Sequence, residues 1–277
     1  MDAYEKLEAL KDLISSYDRL AVAFSGGVDS TLLLAVAHGV LGDRCLAVIA
    51  TSPTYPRREY ESAHEWVQSR GIPFVIIESE ELEIPGFSGN PPERCYYCKK
   101  ELFEKIYGEV RKFGIAVVAD GSNYDDTLDF RPGMRASREL GVKSPLMECG
   151  LTKEDIRLLS RHSYHLSTSD KQPMACMASR IPYGSRVSRD KLAQIEMMED
   201  FLSDAGFRVF RARHHGDLLR LELGRDEMTL LREENLVSEV VDVAKRIGFV
   251  YVTMDLQGFR SGSMNEALQK KGHNTPY

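Results

Sequence analysis

Tyr4, Leu7, Leu10, Ile14 and Tyr17 recur at intervals of three and four residues, which predicts an amphipathic helix at the start of the chain. The apolar run Leu20-Ala-Val-Ala-Phe24 follows, breaks into Ser25-Gly-Gly-Val-Asp-Ser30 and resumes as Leu32-Leu-Leu34, so a strand, a tight loop and a second helix are expected. Further short apolar runs at 45–50, 74–77 and 117–119 alternate with helical stretches carrying Tyr60, Ala63 and Val67, then Leu102, Ile106, Val110 and Phe113. Strands alternating with helices predict a parallel sheet covered on both faces, the doubly wound α/β class. Ser144-Pro-Leu-Met-Glu148 reads as a short fifth strand. Thr152 with Asp155 three residues on reads as the cap of a helix through Ile156 and Leu159. From about Val187 the pattern changes: Leu192, Ile195, Glu199 and Leu202 share one helical stripe, and two strands follow, one with Arg211 and Arg213, the other over 218–223. The expected organisation is a larger domain at 1–186 and a smaller α/β domain at 187–277.

The loop at Ser25 to Ser30 carries the first chemistry. Two glycines let the backbone approach an anion, the hydroxyls of Ser25 and Ser30 can donate to it, and the following helix points its free N–H groups there. There is no lysine in this loop; Asp29 stands inside it, which argues against ordinary kinase or GTPase chemistry. Ser25-Gly-Gly-Val-Asp-Ser30 resembles the pyrophosphate loop of ATP pyrophosphatases (PP-loop enzymes, adenine nucleotide alpha hydrolase-like), which split ATP between its α and β phosphates and adenylate a substrate. A parallel sheet binds ligands at the C-terminal ends of its strands, so Ser52 and the stretch Gly121, Asn123, Asp125 and Asp126 are candidates beside the loop. Gly121 offers a backbone approach, Asn123 a polar contact, and Asp126 with Asp29 carboxylates for Mg2+.

Composition narrows the partners. With 36 Lys and Arg against 42 Asp and Glu, the formal charge of -6 gives no general attraction to nucleic acid or anionic lipid. No apolar stretch approaches the roughly 20 residues that span a bilayer, and the acidic N-terminus does not read as a signal, so a cytoplasmic enzyme with a small-molecule substrate is expected.

Five cysteines without a signal segment argue for metal or thiol chemistry over a disulfide framework. Cys45 falls inside an apolar run and reads as core filling. Cys149, at a turn, is open between a structural place and the site. Cys95-Tyr-Tyr-Cys98 stands at the start of a helix, a spacing that suits half a zinc site, a redox pair or one edge of a cluster. Cys176 lies in a proline-flanked, loop-like segment with no periodic apolar pattern.

The features Ser25 to Ser30, Pro91-Pro-Glu-Arg-Cys-Tyr-Tyr-Cys98, Asp170-Lys-Gln-Pro-Met-Ala-Cys176 and Ser179-Arg-Ile-Pro-Tyr-Gly184 together resemble the LarE family across nearly the whole chain. These are ATP-dependent sulfur transferases that make the thiocarboxylates of the nickel-pincer nucleotide cofactor of lactate racemase. The resemblance implies adenylation of a carboxylate of pyridinium-3,5-biscarboxylic acid mononucleotide, then displacement of AMP by sulfur. Some members match this chain only at Cys176, which gives up its own sulfur and becomes dehydroalanine. The presence of Cys95 and Cys98 as well implies a [4Fe-4S] cluster on three cysteines, one iron being free to carry an extra sulfide from a sulfur-donating system. A zinc site would want a fourth ligand.

In the smaller domain, Glu199 on an apolar stripe needs a partner or a task, and Arg211 and Arg213 alternate onto one strand face about 7 Å apart, with Glu222 on the next strand. These can form an internal salt-bridge network or an anion clamp. The LarE resemblance implies the second, with the substrate phosphate held there. Of His214 and His215, at most one can share that face. Candidate catalytic residues are therefore Cys176, Asp29 and Glu199. The expected cofactors are ATP, Mg2+ and the cluster, in a homo-oligomer. Two other classes stay open: a tRNA-thiolating enzyme, disfavoured by 13 basic against 15 acidic residues from 187 onward, and a nucleotide-binding protein with a structural metal.

Overall fold

The computed structural model describes residues 1–128, 132–172, 175–232, 234–260 and 262–266. Pro173 and Met174, within the motif before Cys176, lie outside the described residues. The helices in chain order are α1 (Ala3–Ser15), α2 (Val28–Leu41), α3 (Arg57–Ser69), α4 (Pro85–Ser88), α5 (Arg94–Val110), α6 (Pro132–Glu139), α7 (Pro145–Glu148), α8 (Lys153–His162), α9 (Arg189–Asp204) and α10 (Glu234–Ile247). The strands are β1 (Leu20–Ala23), β2 (Cys45–Thr51), β3 (Phe74–Glu78), β4 (Val117–Ala119), β5 (Phe210–His215), β6 (Leu218–Leu223) and β7 (Tyr251–Met254).

Contacts divide the chain into two compact units: 1–84 with 93–174, and 85–92 with 175–276. The segment 175–186, which the sequence groups with the larger domain, thus belongs with the second unit by its contacts. Asn90 shows one reason within that unit: its side-chain amide donates to the carbonyls of Ile181, Pro182 and Ser185.

In the first unit four strands run parallel in the order β3-β2-β1-β4. Leu20 and Val22 of β1 enter one core with Leu32, Leu33 and Ile156, whereas Ala21 enters the other with Phe103, Ile106 and Val110. Alternation across β1 therefore feeds two cores, one on each face of the sheet, the doubly wound arrangement the apolar runs predict. Helix α2 is buried nearly all round through Leu32, Leu33, Leu34, Val36 and Ala37, as a helix lacking a polar face must be. Thr152 and Asp155 form a complete capping box at α8. Pro145–Glu148 is a helical turn, not the expected fifth strand. Ladder contact stops at Lys143 beside Ala119, Pro145 opens the turn, and the Glu148 carboxylate accepts from the Ser144 N–H.

The second unit holds a three-stranded sheet, β5-β6-β7, with β5 antiparallel and β7 parallel to β6. Helix α10 and strand β7 are not among the elements the apolar pattern predicted. One face carries Ala212, Leu219, Leu221 and Leu223, which pack with Met198, Leu202, Val240 and Ala244 of α9 and α10. The same alternation puts Arg211, Arg213, His215, Arg220 and Glu222 on the opposite face. No described helix is long and apolar enough to cross a membrane.

Candidate active site

In the first unit the strand order reverses direction at β1: β2 and β3 add on one side, β4 on the other. The crevice beyond the carboxyl ends of β1 and β4 is the switch point where such sheets take ligands. It is flanked by the loop from Ser25 and by the stretch from Asp120.

Gly26 adopts φ +61, and a Cβ there would sit 2.9 Å from Cβ of Ala63, so both its backbone angle and its space demand glycine. Gly27 is the N-cap of α2 and offers no side-chain cap, which leaves first-turn N–H groups for a ligand. Ser25 and Ser30 hydroxyls lie 3.1 Å apart, and Ser30 also receives the Ser25 N–H. The Thr31 hydroxyl donates to the Gly27 carbonyl and closes the turn. These contacts tie the loop's small residues to one another and to the start of α2.

The Asp29 carboxylate accepts from Lys153 Nζ at 2.5 Å and from the Asn123 amide at 3.4 Å. Asn123 is held in turn by its own turn, its side-chain oxygen accepting from the Asp125 and Asp126 N–H groups while Asp126 accepts from the Asn123 N–H. Gly121 serves packing as well as approach, since a Cβ there would meet the Ser30 N at 2.9 Å. Ser52 caps its own turn, its hydroxyl receiving the Thr54 N–H. Among the described residues no group of three or more His, Cys, Asp or Glu side chains forms a metal cluster. Asn123 lies between two carboxylates, its amide reaching Asp29 and its N–H reaching Asp126.

Reading the sequence missed Lys153 and Lys171. Lys153 is the first residue of α8, where the positive helix end disfavours a cation, and that unfavourable placement was the available signal. Lys171 reaches the Gly26 carbonyl at 3.1 Å and Glu59 at 2.5 Å, a contact no local pattern shows.

Cys95 and Cys98 lie in the first turns of α5 as the spacing predicts, three residues apart and therefore on one face; Cys95 is exposed and Cys98 half-exposed. Cys176 is exposed and belongs to the second unit, at the start of a helical turn whose Met177 and Ala178 are buried. Cys45 is core, its thiol pushed up to about 12 by burial. Burial also raises Cys149, with the Glu148 charge adding to it.

In the second unit, Glu199 has its partner: Arg180, fully buried, makes a two-pronged pair with it at 2.9 Å on each prong, and Glu199 also accepts the Ala212 N–H at 3.0 Å. Arg180 further holds the carbonyls of Ala175 and Cys176. Arg213 pairs with fully buried Glu222 at 2.7 Å and donates to the Ser263 hydroxyl and the Ser179 carbonyl. Glu222 accepts from Arg220 and Ser263 too. Burial alone would raise Glu222, but these donors, Arg213 foremost, hold it below the ordinary carboxylate value. With its oxygens so engaged, Glu222 orients arginines; against a phosphate it would be repulsive. Arg211 donates to the Phe210 carbonyl at 2.7 Å and lies 5.0 Å over the Phe259 ring, and burial, reinforced by neighbouring Arg180, lowers its guanidinium to about 10. His215 shares this face, whereas His214 sits on the core side against Phe249 and Gln194.

A parallel sheet with its switch point at a glycine loop and an uncapped helix start is what an ATP-utilising enzyme of the PP-loop class presents, and the relatives of this chain agree. The chain is 26% identical over 125 residues, 44% of its length and 24% of the relative, to the glutamine-hydrolyzing GMP synthase of Chlamydia caviae. No family model matches it. It is 36% identical over 263 residues, 95% of this chain and 93% of the relative, to the pyridinium-3,5-bisthiocarboxylic acid mononucleotide synthase of Lactiplantibacillus plantarum. A Synechocystis protein named only as uncharacterized is 37% identical over 96% of this chain and 98% of its own. The chain belongs to the LarE family of pyridinium-3,5-bisthiocarboxylic acid mononucleotide synthases.

Proposed function

We propose that this enzyme adenylates a carboxylate of pyridinium-3,5-biscarboxylic acid mononucleotide and converts it to a thiocarboxylate, a step in making the nickel-pincer nucleotide cofactor. The observation that carries this reading is likeness along nearly the full length of a synthase so named, in a chain that keeps an open glycine loop at the switch point. A carboxylate oxygen of the substrate attacks the α-phosphorus of ATP, the bond to the bridging oxygen breaks, and pyrophosphate leaves. Ser25, Gly26, Gly27 and Ser30 face the leaving group with N–H and hydroxyl donors that need no reorganisation as its charge develops. Asp29 and Asp126 would hold Mg2+, which neutralises phosphate charge. A sulfur nucleophile then attacks the acyl carbon and AMP departs.

Cys95, Cys98 and Cys176 would hold a [4Fe-4S] cluster, which supplies sulfide for that attack. What supports this is the LarE likeness together with three cysteines that are not buried, two of them on one helix face. In the second unit Arg211 receives the substrate phosphate, Arg213 lines the site under the grip of Glu222, and Glu199 fixes Arg180 beside the Cys176 backbone. This assigns the nucleotide chemistry to the first unit and substrate binding and self-association to the second.

The test is anaerobic purification with iron and sulfide analysis, followed by single replacement of each cysteine. Each variant is expected to lose iron and sulfur transfer while keeping substrate-dependent ATP–pyrophosphate exchange. Stoichiometric dehydroalanine at Cys176 after turnover, a loss of roughly 34 Da as thiol chemistry there ends, would sink the cluster and make Cys176 the sacrificial donor.

A further inference from the structure

The anion loop contains no lysine, yet one ammonium group touches its backbone from 145 residues away: Lys171 Nζ donates to the Gly26 carbonyl at 3.1 Å. Tyr55 makes the companion contact, its hydroxyl donating to the Ser25 carbonyl at 2.6 Å. Each carbonyl belongs to a planar trans peptide whose N–H points the opposite way. Holding the Ser25 oxygen fixes the Gly26 N–H, and holding the Gly26 oxygen fixes the Gly27 N–H. With Gly26 in the left-handed region between them, successive N–H groups form a concavity suited to an anion.

Both donors are themselves braced. Glu59 of α3 pairs with Lys171 at 2.5 Å. Arg157 of α8 grips the carbonyls of Ser169 and Lys171 at 2.5 and 2.9 Å, anchoring the segment that presents the ammonium. Tyr55 is half-buried, and its desolvation with the Glu59 charge nearby raises its phenol above the ordinary value, which keeps the proton it donates. A cation on the Gly26 oxygen also polarises that peptide and makes the Gly27 N–H a stronger donor.

We infer that Lys171, assisted by Tyr55, is a positioning residue of the pyrophosphate site: it acts through the Gly26–Gly27 peptide, setting its N–H toward the leaving pyrophosphate. The inference rests on the adenylation reading for its consequence in turnover but not for its consequence in anion binding. The experiment therefore measures inorganic pyrophosphate binding by calorimetry and ATP–pyrophosphate exchange kinetics in the wild type, Lys171→Met, Lys171→Arg and Tyr55→Phe, with thermal melts of each. Lys171→Met is expected to weaken pyrophosphate binding about tenfold and to lower the exchange kcat roughly 10- to 100-fold, less than loss of a direct oxyanion donor. KM for ATP should move less than kcat, because the oriented donors matter most as charge develops. Lys171→Arg should recover most of the loss, and Tyr55→Phe should show a smaller loss of the same kind. Wild-type pyrophosphate affinity in Lys171→Met overturns the inference. So does a loss that Lys171→Arg shares in full and that tracks a lowered melting temperature. Wild-type protein that binds pyrophosphate but never exchanges it defeats the adenylation reading and leaves this one standing.

Discussion

The glycine loop of the first sheet and the arginine face of the second are both dense in polar groups, and they differ in what those groups already hold. At the loop, helix α2 begins on a glycine with no side-chain cap, so donors at its start are left for a ligand. On the second sheet, Arg180 is taken by Glu199, Arg213 and Arg220 by Glu222, and Arg260 by Asp255. One region keeps backbone donors that no side chain caps. The other spends its charges on internal order. A charged motif read along a strand thus overstates ligand binding, because adjacent strands bring the countercharges along with the charges.

The contrast is broken or sharpened most strongly at Asp29. Asp29→Asn keeps the shape of the loop and should lower ATP–pyrophosphate exchange by on the order of 10³-fold, with an unchanged melting temperature, since Lys153 can turn to water. Normal exchange by this variant would remove Asp29 from the chemistry.

Next come the two arginines, which should separate cleanly. Arg213→Ala leaves a buried carboxylate and should cost about 3–5 kcal/mol of stability, visible as a large drop in melting temperature. Arg211→Ala should raise KM for the nucleotide substrate by roughly 10- to 100-fold, the worth of a hydrogen bond to a charged group. If both variants lower stability alike and leave substrate KM unchanged, the second sheet face is purely structural.

The smallest effect is that of pH on the second unit. His214 and His215 are held below the ordinary histidine value, chiefly by burial, with Lys191 acting on His214 and Arg220 on His215. Below about pH 6.5 the unfolded chain therefore takes up protons that the folded chain resists, and stability falls. Glu222, also lowered, adds to the loss below about pH 4.5, where the unfolded carboxylate protonates first and the folded one follows. Each titrating group contributes at most about 1.4 kcal/mol per pH unit. Hydrogen exchange of the β5 and β6 amides should report a stability that falls steadily from pH 7 to pH 5. A flat profile would show these side chains to be exposed in solution.

What the sequence determined by itself is whatever depends on neighbours along the chain. The alternation of apolar runs with helical stretches specified the parallel sheet, Gly26 and Gly27 the anion loop, Thr152 and Asp155 the capping box, and Cys95 with Cys98 a shared helix face, because each is set by backbone geometry over a few residues. Residues 144–148 failed as a strand for the same kind of reason: a proline-initiated turn and an apolar run of that length look alike until the ladder is seen to end at Lys143. Only the tertiary structure decided which charges meet. It supplied Lys153 to Asp29, Lys171 to Gly26, Arg180 to Glu199 and Glu222 to Arg213 across separations of up to 145 residues. Long, flexible charged side chains leave no periodic signature of their partners, so the fold and the loop are legible in the order of residues, and the electrostatics of the site are fixed only when the chain closes on itself.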